Sequence, residues 1–294
     1  MKGIYRVYSG DGLLAESSNI ITNSGKIAIG RYLAGELPEW ASAMAIGVGG
    51  TSQSVTDTEL EMEVWREEVD LKEYSVQSGE VILRSIIPAP VVGKIHELGV
   101  YCTISTIRNL STSPIALAFD TNSEDWDIIG GQSDTQNNRI GAGAIKLADN
   151  TTASAESRLN GDFASYGEDD FFYLAYEVIS GGVTHITVRI KSSENDYREY
   201  NIPSPAQSGY AVERWNVGDF TVVGNPDWED FSSVEFIALL DGELVLDGFS
   251  VKSEPQGFDT VLVSRTTLSG PDIIDKTGAQ ELQIEYAVDL SVGS

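Results

Sequence analysis

Cysteine, histidine and long apolar runs are nearly absent from this sequence of 294 residues. It contains one cysteine, Cys102, and two histidines, which excludes an intrachain disulfide and a cysteine-based metal site. No apolar run reaches the roughly 18 residues of a membrane span. The first residues, MKGIYRVYSGDG, lack the continuous apolar stretch of a signal peptide. We therefore expect synthesis in a cytoplasm and no membrane insertion.

Basic residues are also scarce, with 19 Lys and Arg against 45 Asp and Glu and a formal net charge of −26. This excess repels the phosphates of nucleic acids and the surfaces of anionic membranes, so neither is an expected partner. Two interpretations of the acidity stay open. It keeps the protein soluble in a crowded assembly or a saline medium, or it forms a cation-binding surface.

The composition is nevertheless that of a folded protein. Apolar residues make up 41% of the chain, including 12 Tyr, 9 Phe and 5 Trp, which is enough to build buried cores. Single cores stop growing at roughly 250–300 residues, so the length is sufficient for two ordinary domains.

Strand-like runs and turn signals divide the chain into three parts. Residues 1–115 contain short strands, one helix predicted at 25–33, and a segment at 58–69 that fits a short amphipathic helix or a bent strand. Residues 116–255 have long polar turns between aromatic-rich strands, typical of a jelly roll. Residues 256–294 contain two strand patterns, which are too few to fold alone. We therefore predict a mostly β protein, a β-sandwich with one short helix, completed by 256–294 and interrupted by an inserted jelly-roll β-sandwich.

Three stretches and the C-terminus carry a resemblance to a known family. The stretches are ITNSGKIAIGRYLAG (21–35), AIGVGGTSQSVTDTELEMEVWREEV (45–69) and VILRSIIPAPVVGKIHELGVY (81–101). They resemble the attachment-type β domain of phage tail fibres and tail-collar fibres. LVSRTTLSGPDIIDKTGAQELQIEYAVDL (262–290) is similar to the last strands of that domain. Within these motifs, we expect Asp57 or Thr58 to cap the segment at 60–69, with Glu61 placed to complete a capping box from Thr58. We also expect Arg66 to pair with Glu63 or Glu97, as a surface ion pair or as a motif contact.

The middle of the chain resembles the jelly-roll carbohydrate-binding modules that accompany glycosidases and also decorate phage particles. The similar stretches include FDTNSEDW (119–126), YAVERWNVGDF (210–220) and ELVLDGFSV (243–251). Sugar recognition needs exposed aromatic rings flanked by amides and carboxylates. The candidate rings are Trp126, Tyr166, Tyr197 and Trp228, with Asp134, Asn137 and Asn138 near some of them. The alternative for each ring is packing in the core or at a sheet edge.

The same resemblance implies a structural Ca²⁺ ion. In such modules an Asp of the final strand and an acidic group near the first strand hold the metal, which here indicates Asp247 and Asp120. Carboxylate oxygens suit calcium. The alternative is that both carboxylates cap turns.

Catalytic apparatus is not evident in the sequence. Glycosidases need a pair of carboxylates about 5–9 Å apart, and the acidic clusters at 168–170 and 227–230 are more typical of solvated loops. His96 and His185 have no neighbouring nucleophile motif. We therefore expect a protein that is not an enzyme.

These inferences lead to one functional hypothesis and two alternatives. The hypothesis is a virion structural protein of a tailed virus, located in the tail as a fibre, collar or baseplate component. Its jelly roll would face outward for adhesion to host surface glycans or for particle stabilisation, and its partners would be other virion proteins and further copies of itself. The first alternative is a capsid decoration or head-fibre protein. The second is a stand-alone carbohydrate-binding protein or glycosidase.

Overall fold

The computed structural model describes residues 2–104, 117–118, 126–149, 152–157, 163, 166–252 and 260–289. The chain divides into two compact units, Met1–Ser113 with Pro255–Ser294, and Pro114–Glu254. The described residues form antiparallel sheets and one α-helix, which confirms the predicted mostly β class. Within this part of the chain, no helix is long and apolar enough to cross a membrane.

The first unit begins with nine strands and the helix and ends with three further strands. They are β1 (Lys2–Ser9), β2 (Gly12–Ser18), β3 (Ile20–Ile21), α1 (Asn23–Leu33), β4 (Ala43–Gly47), β5 (Glu63–Glu68), β6 (Leu71–Ser75), β7 (Glu80–Ile87), β8 (Gly93–Ile95), β9 (Glu97–Thr103), β20 (Thr260–Thr267), β21 (Ile274–Lys276) and β22 (Leu282–Asp289).

Two five-stranded sheets enclose the core of this unit. Their strand orders are β2-β1-β22-β7-β6 and β3-β20-β9-β4-β5. One buried cluster takes side chains from both sheets, including Tyr5 and Tyr286 from the first and Met44, Val100 and Val263 from the second. The two sheets therefore form a sandwich, because alternate residues of each strand point toward the shared core.

The C-terminal strands lie inside these sheets. Strand β22 pairs with β1 on one side and with β7 on the other. Strand β20 pairs with β9 and, at its other edge, with β3. Each of the two five-stranded sheets is thus joined by a strand from the C-terminal part of the chain, β22 in the first sheet and β20 in the second.

The second unit contains ten strands among the described residues. They are β10 (Leu117–Ala118), β11 (Trp126–Ile129), β12 (Gly131–Asp134), β13 (Ala144–Asp149), β14 (Thr152–Ser157), β15 (Phe171–Lys191), β16 (Tyr197–Ile202), β17 (Gly209–Asn216), β18 (Thr221–Val223) and β19 (Ser233–Lys252).

Two long strands, β15 and β19, pair along their whole lengths. The pairing shifts register near Gly181 and Gly242, which have φ of +70° and +143°. A Cβ at Gly181 would lie 1.5 Å from the carbonyl oxygen of Asp241, so glycine is required at this crossing. The local sequence pattern is interrupted at these glycines and predicts separate strands at 171–179 and 184–191, and at 234–240 and 244–251. The structure instead continues the pairing through the glycines.

One core packs against both halves of these long strands. It includes Phe172 and Leu174 from the first half of β15, Val188 and Ile190 from the second half, and Phe249 from β19. The halves therefore lie in two layers around a common interior, the arrangement of a β-sandwich. In the first unit, residues 58–69 contain strand β5 and no helix, so the helical alternative for this segment is wrong.

Candidate functional site

Three segments of the first unit meet around a buried carboxylate, Glu97, which is 0% exposed. Its oxygens accept hydrogen bonds from the backbone N–H groups of Gly49 at 3.0 Å, Met62 at 3.2 Å and Glu61 at 3.1 Å. Arg265 Nε donates to the same carboxylate at 2.9 Å. Burial raises the pKa of Glu97, and the Arg265 charge offsets part of that rise. This network fastens the loop before β5 to the sheet.

Of two further motif residues, Arg66 has one of its two expected partners and Glu61 has a different one. Arg66 pairs with Glu63, with Nη2 and Oε2 2.5 Å apart, and its guanidinium carbon lies 3.6 Å from the centre of the Tyr101 ring. Both charged residues are 8% exposed, so this is a buried pair and not a surface one. Glu61 forms no capping box, because no helix begins at Thr58, and it accepts a hydrogen bond from the Thr51 N–H at 2.9 Å.

The cysteine and the two histidines are described by their burial and their hydrogen bonds within the fold. Cys102 is buried, and burial raises the pKa of its thiol to about 11, so the thiolate is scarce at neutral pH. His96 is buried, and its backbone N–H donates to the Gly47 carbonyl at 2.9 Å. The His185 ring nitrogen lies 2.7 Å from the Thr187 hydroxyl.

The candidate ring Trp126 lies in the core of the second unit. It is 5% exposed, and its ring centre is 6.2 Å from that of Phe236. As the first residue of β11, its side chain points between the two layers. A ring in this position cannot stack against a sugar in solution.

The candidate ring Tyr197 lies on the outer face of the second half of the sheet. It pairs with Lys191 across β15 and β16, and the Arg189 guanidinium is 5.0 Å from its ring centre. Arg189 also contacts Glu199 at 2.6 Å and Glu235 at 3.4 Å. Tyr197 is thus a half-buried ring within a ladder of ion pairs.

The structure brings together the other two candidate rings, Trp228 and Tyr166. Both pack on Phe163, with ring centres 5.4 Å and 6.0 Å from it, and both remain partly exposed. The Arg198 guanidinium lies 4.0 Å from the centre of the Trp228 ring. This cation–π contact places a charged group beside two rings that solvent can reach.

Sequence reasoning missed the remaining members of this group. Tyr200 stacks on Trp215 with ring centres 4.7 Å apart and planes at 6°. Phe220 lies 6.0 Å from Tyr200 and 6.3 Å from Trp228. We call Tyr166, Arg198, Tyr200, Trp215, Phe220 and Trp228 the aromatic rim. The period of β16 was available as an indication, because Arg198 and Tyr200 alternate with outward-facing residues.

Two N–H groups of the aromatic rim have no hydrogen-bond partner. Among the buried side-chain nitrogen and oxygen atoms of the described residues, they are Arg198 Nε and Trp215 Nε1. Burial lowers the pKa of Arg198, and the negative charge of Glu168 opposes that effect. Unpaired buried donors are rare in native proteins and call for a physical explanation. The rim therefore places the Arg198 guanidinium beside the partly exposed Trp228 ring, while the two unpaired N–H groups themselves are shielded from solvent.

The amide and carboxylate candidates near residue 137 form a local turn. The Asp134 carboxylate accepts from the backbone N–H groups of Gln136 at 2.7 Å and Asn137 at 3.0 Å, and from the Asn137 side chain at 2.9 Å. The Asn138 side chain donates to the Gly141 carbonyl at 2.8 Å. These polar groups are engaged in holding their own loop.

Asp247, one of the two proposed calcium ligands, is 0% exposed and anchors the same loop. Its oxygens accept from the backbone N–H of Arg139 at 3.0 Å, the backbone N–H of Ile140 at 3.3 Å and the hydroxyl of Tyr210 at 2.8 Å. Asp120 lies outside the described residues. Within the described ranges, no group of three or more His, Cys, Asp or Glu side chains is placed to hold a metal ion. The contacts of Asp247 are those of a capping carboxylate.

The pKa values of Asp247 and Asp134 are shifted in opposite directions from the ordinary value of an aspartate. Burial raises the pKa of Asp247 to about 6, although the Tyr210 hydroxyl and the two backbone donors oppose the rise. Burial acts on Asp134 too, but the hydrogen bonds from Asn137 and Gln136 outweigh it and lower the pKa. We therefore expect the Asp247 carboxyl carbon to titrate near pH 6 by NMR and that of Asp134 below its ordinary range. A midpoint below pH 4.5 for Asp247 would show that the donors outweigh burial.

This titration has a consequence for stability. Folded Asp247 binds its proton more tightly than the unfolded chain does, so its contribution is largest below about pH 4 and is lost as the pH rises toward 6. Relative to Asp247→Asn, the wild type should lose roughly 2–3 kcal/mol over that interval.

Comparisons with known proteins give similarity to part of the fold only. No protein-family model matches the sequence, and no curated protein matches it. One similar solved structure is the family 11 carbohydrate-binding module from Clostridium thermocellum in complex with a mixed-linked tetrasaccharide. Its sequence is 14% identical to this chain, and the TM-score is 0.36. The match covers 47% of this chain and 93% of the module. A family 61 module in complex with β-1,4-galactotriose is 11% identical, with a TM-score of 0.29 and coverages of 44% and 88%. An exo-β-agarase is 11% identical, with a TM-score of 0.35 and coverages of 46% and 24%.

Proposed function

We propose that this chain is a structural protein of a tailed virion, located in the tail, and that its second unit binds a glycan at the aromatic rim. The observation that carries the glycan proposal is the rim itself. It groups partly exposed rings and places the Arg198 guanidinium beside one of them, Trp228. The expected ligand is a host surface glycan, and the expected partners of the first unit are other virion proteins and copies of itself.

The chemistry of the aromatic rim suits a sugar. A pyranose has an apolar face of C–H groups and a circumference of hydroxyl groups. Trp228, Tyr166 and Tyr200 offer ring surface to the first, and the guanidinium of the partly exposed Arg198 offers hydrogen-bond donors to the second. Ligand sites commonly combine apolar walls with a few placed polar groups in this way.

The virion part of the proposal is supported by the motifs of the first unit. The segments that resemble tail-fibre attachment domains contain the buried network of Glu97 and Arg265 and the helix packed on β20. Mass spectrometry of purified particles tests membership, and a particle reconstruction distinguishes the tail from a capsid decoration or head fibre.

Replacing Trp228 with alanine should reduce glycan affinity about 10-fold or more, because truncation of an aromatic anchor removes most of its contact surface. A glycan array screened with the purified protein identifies the ligand, and calorimetric titration measures the change. Tyr197→Ala is the matched control, since it removes another half-buried ring of the same unit outside the rim. Equal affinity for both variants and the wild type would exclude the rim as the site.

We expect binding without hydrolysis. The acidic residues Glu168 and Asp169, like Asp227 and Glu229, are exposed side chains of loops. Release of reducing sugar from the bound glycan, lost on replacing a pair of these carboxylates, would overturn this part of the proposal. A purified protein that binds glycans but is absent from particles would favour a stand-alone carbohydrate-binding protein.

A further inference from the structure

We infer that the outer face of helix α1 is the surface through which two copies of this chain associate. The same helix of a second copy packs on it in antiparallel orientation, with the two-fold axis at Gly30. We define the outer face by five exposed residues, Lys26, Ile27, Gly30, Leu33 and the adjoining Ala34. This inference rests on the proposed self-association of the first unit and adds its surface, orientation and register.

The two large apolar side chains of the outer face are open to solvent. Ile27 is 65% exposed and Leu33 is 76% exposed, whereas Gly25 and Ala28 on the other side of the helix are buried. Residues three or four apart lie on one side of a helix. Ile27, Gly30 and Leu33 therefore form one strip directed away from the sheet. A single exposed apolar residue is ordinary, but here two of them flank one glycine.

The glycine at the centre of this strip is not required by the fold of a single chain. No heavy atom lies within 4 Å of a Cβ built on Gly30, and its φ lies outside the left-handed region. A glycine inside a helix is less stable than an alanine at the same place. Small residues are favoured where two helices cross, because their backbones can then approach closely. Gly30 therefore suits a contact with another helix.

The outer face is complementary to itself when it is reversed. If Gly30 lies opposite Gly30 of the second copy in an antiparallel pair, Ile27 lies opposite Leu33 of that copy, because both are three residues from the axis. Leu33 lies opposite Ile27 of the second copy for the same reason. A two-fold contact requires this kind of self-complementarity. Each exposed apolar side chain thus gains an apolar partner.

Charge also favours the helix as a point of contact between copies. Two chains with a net charge of −26 repel each other, so they approach more easily where carboxylates are absent. Residues 17–35 contain no Asp or Glu and include Lys26 and Arg31. In the antiparallel pair, Lys26 lies opposite Ala34 of the second copy, two residues from its exposed Glu36. The ammonium and this carboxylate can then pair across the contact.

The contact is small, so the pair is expected to be weak. One crossing of two helices of 11 residues buries less than the roughly 1,200 Å² typical of stable interfaces. We expect a dissociation constant of about 0.1–1 mM for free chains. In an assembly of many copies the neighbours are already close, which raises the effective concentration and populates the same contact.

The first experiment measures association of the full chain by analytical ultracentrifugation at millimolar concentration, in about 0.15 M salt to screen the general repulsion. The wild type should form dimers. Leu33→Ser should weaken them about 10-fold or more, because it removes an apolar partner from both halves of the contact. Val76→Ser is the matched control, since Val76 is an 86% exposed apolar residue in the turn after β6.

The possible contrary results have different meanings. Dimers that Leu33→Ser does not weaken would overturn the inference and leave self-association of the first unit intact. A wild type that stays monomeric would contradict self-association itself, without bearing on glycan binding. Sedimentation of the chain with anionic lipid vesicles, in the absence of dimers, would assign the outer face to a membrane and overturn the inference.

The second experiment uses the glycine at the axis. Gly30→Ala should weaken the dimer about 5- to 10-fold, because two added methyl groups separate the backbones. It should nevertheless stabilise the single chain, since alanine favours the helix. A residue that served only the fold of one chain would not change association and stability in opposite directions. Unchanged or tighter association in Gly30→Ala would show that the backbones do not meet at this residue.

The third experiment tests the register by disulfide trapping. Gly30→Cys places a thiol on the two-fold axis, where the two Cα atoms lie close enough for a disulfide, and mild oxidation should give a covalent dimer. Ala34→Cys is the matched control on the same face, because its thiol lies about 12 Å along the axis from that of the second copy. The native Cys102 is buried and supplies no competing thiol. Equal trapping of both variants would overturn the antiparallel register.

Discussion

The Arg265→Ala variant is expected to lose about 3–5 kcal/mol of stability in the first unit, the usual cost of removing one partner of a buried ion pair. Arg265 is 3% exposed and Glu97 is 0% exposed. Removal of the guanidinium leaves a carboxylate buried without its cation. It also removes the contact of Arg265 Nη1 with Asp57 Oδ2, at 2.6 Å.

This loss can be measured by urea unfolding combined with hydrogen exchange and mass spectrometry, which follows the strands of each unit separately. Arg31→Ala is the matched control. Arg31 pairs with Glu36 at 3.1 Å, but the two side chains are 41% and 59% exposed, so its loss should change stability by less than about 1 kcal/mol. A similarly small effect for Arg265→Ala would mean that water solvates Glu97 in the variant.

Two glycines on helix α1 are expected to respond to alanine with opposite signs. A Cβ on Gly25 would lie 2.1 Å from the carbonyl oxygen of Val263 and 2.7 Å from its carbonyl carbon. These are backbone atoms of β20, which cannot move without disturbing the sheet. Gly25→Ala should therefore destabilise the first unit by about 2–3 kcal/mol or more.

Gly30 lies one and a half turns further along the same helix and supplies the control. No heavy atom lies within 4 Å of a Cβ built on Gly30. Gly30→Ala should stabilise the unit by about 0.5–1 kcal/mol, because alanine restricts the unfolded chain and favours the helix. The same unfolding measurement checks both variants. If Gly25→Ala were neutral, helix α1 would not sit directly on β20.

The position of Gly25 explains one motif of the sequence. Thr22 caps the helix by accepting a hydrogen bond from the Gly25 N–H at 2.9 Å, and its hydroxyl also donates to the carbonyl of Leu262. The stretch that begins ITNSG therefore combines a cap, a helix start and a close approach to a strand more than 230 residues later. The local pattern predicted the helix and a cap at Thr22 or Asn23, of which the structure uses Thr22, but it did not predict the strand that requires the glycine.

The aromatic residues show how much of the candidate site could be predicted from the sequence. It identified Trp126, Tyr166, Tyr197 and Trp228 as rings in polar surroundings, without distinguishing core from surface. The structure buries Trp126, places Tyr197 among ion pairs, and groups Tyr166 with Trp228. Alternation along a strand shows which residues share a face. Alternation does not show whether other parts of the protein cover that face.

The local sequence pattern also could not identify which charged residues pair with each other. Glu63 and Glu97 were both reasonable partners for Arg66, and the structure selects Glu63, while Glu97 accepts from Arg265. Arg265 is 168 residues away from Glu97 in the chain. Asp247 was identified as an important carboxylate of the last strand of its unit, yet its partners are backbone N–H groups 107 and 108 residues earlier.

The mostly β class, the helix, several strands of both terminal regions and the acidic character follow from the amino-acid sequence, because they depend on the period of apolar residues, on turn chemistry and on composition. Only the folded structure shows that β15 and β19 run unbroken past Gly181 and Gly242, and which rings meet at the aromatic rim. Those features depend on contacts between residues far apart in the chain. Their geometry is fixed only when the sheets pack.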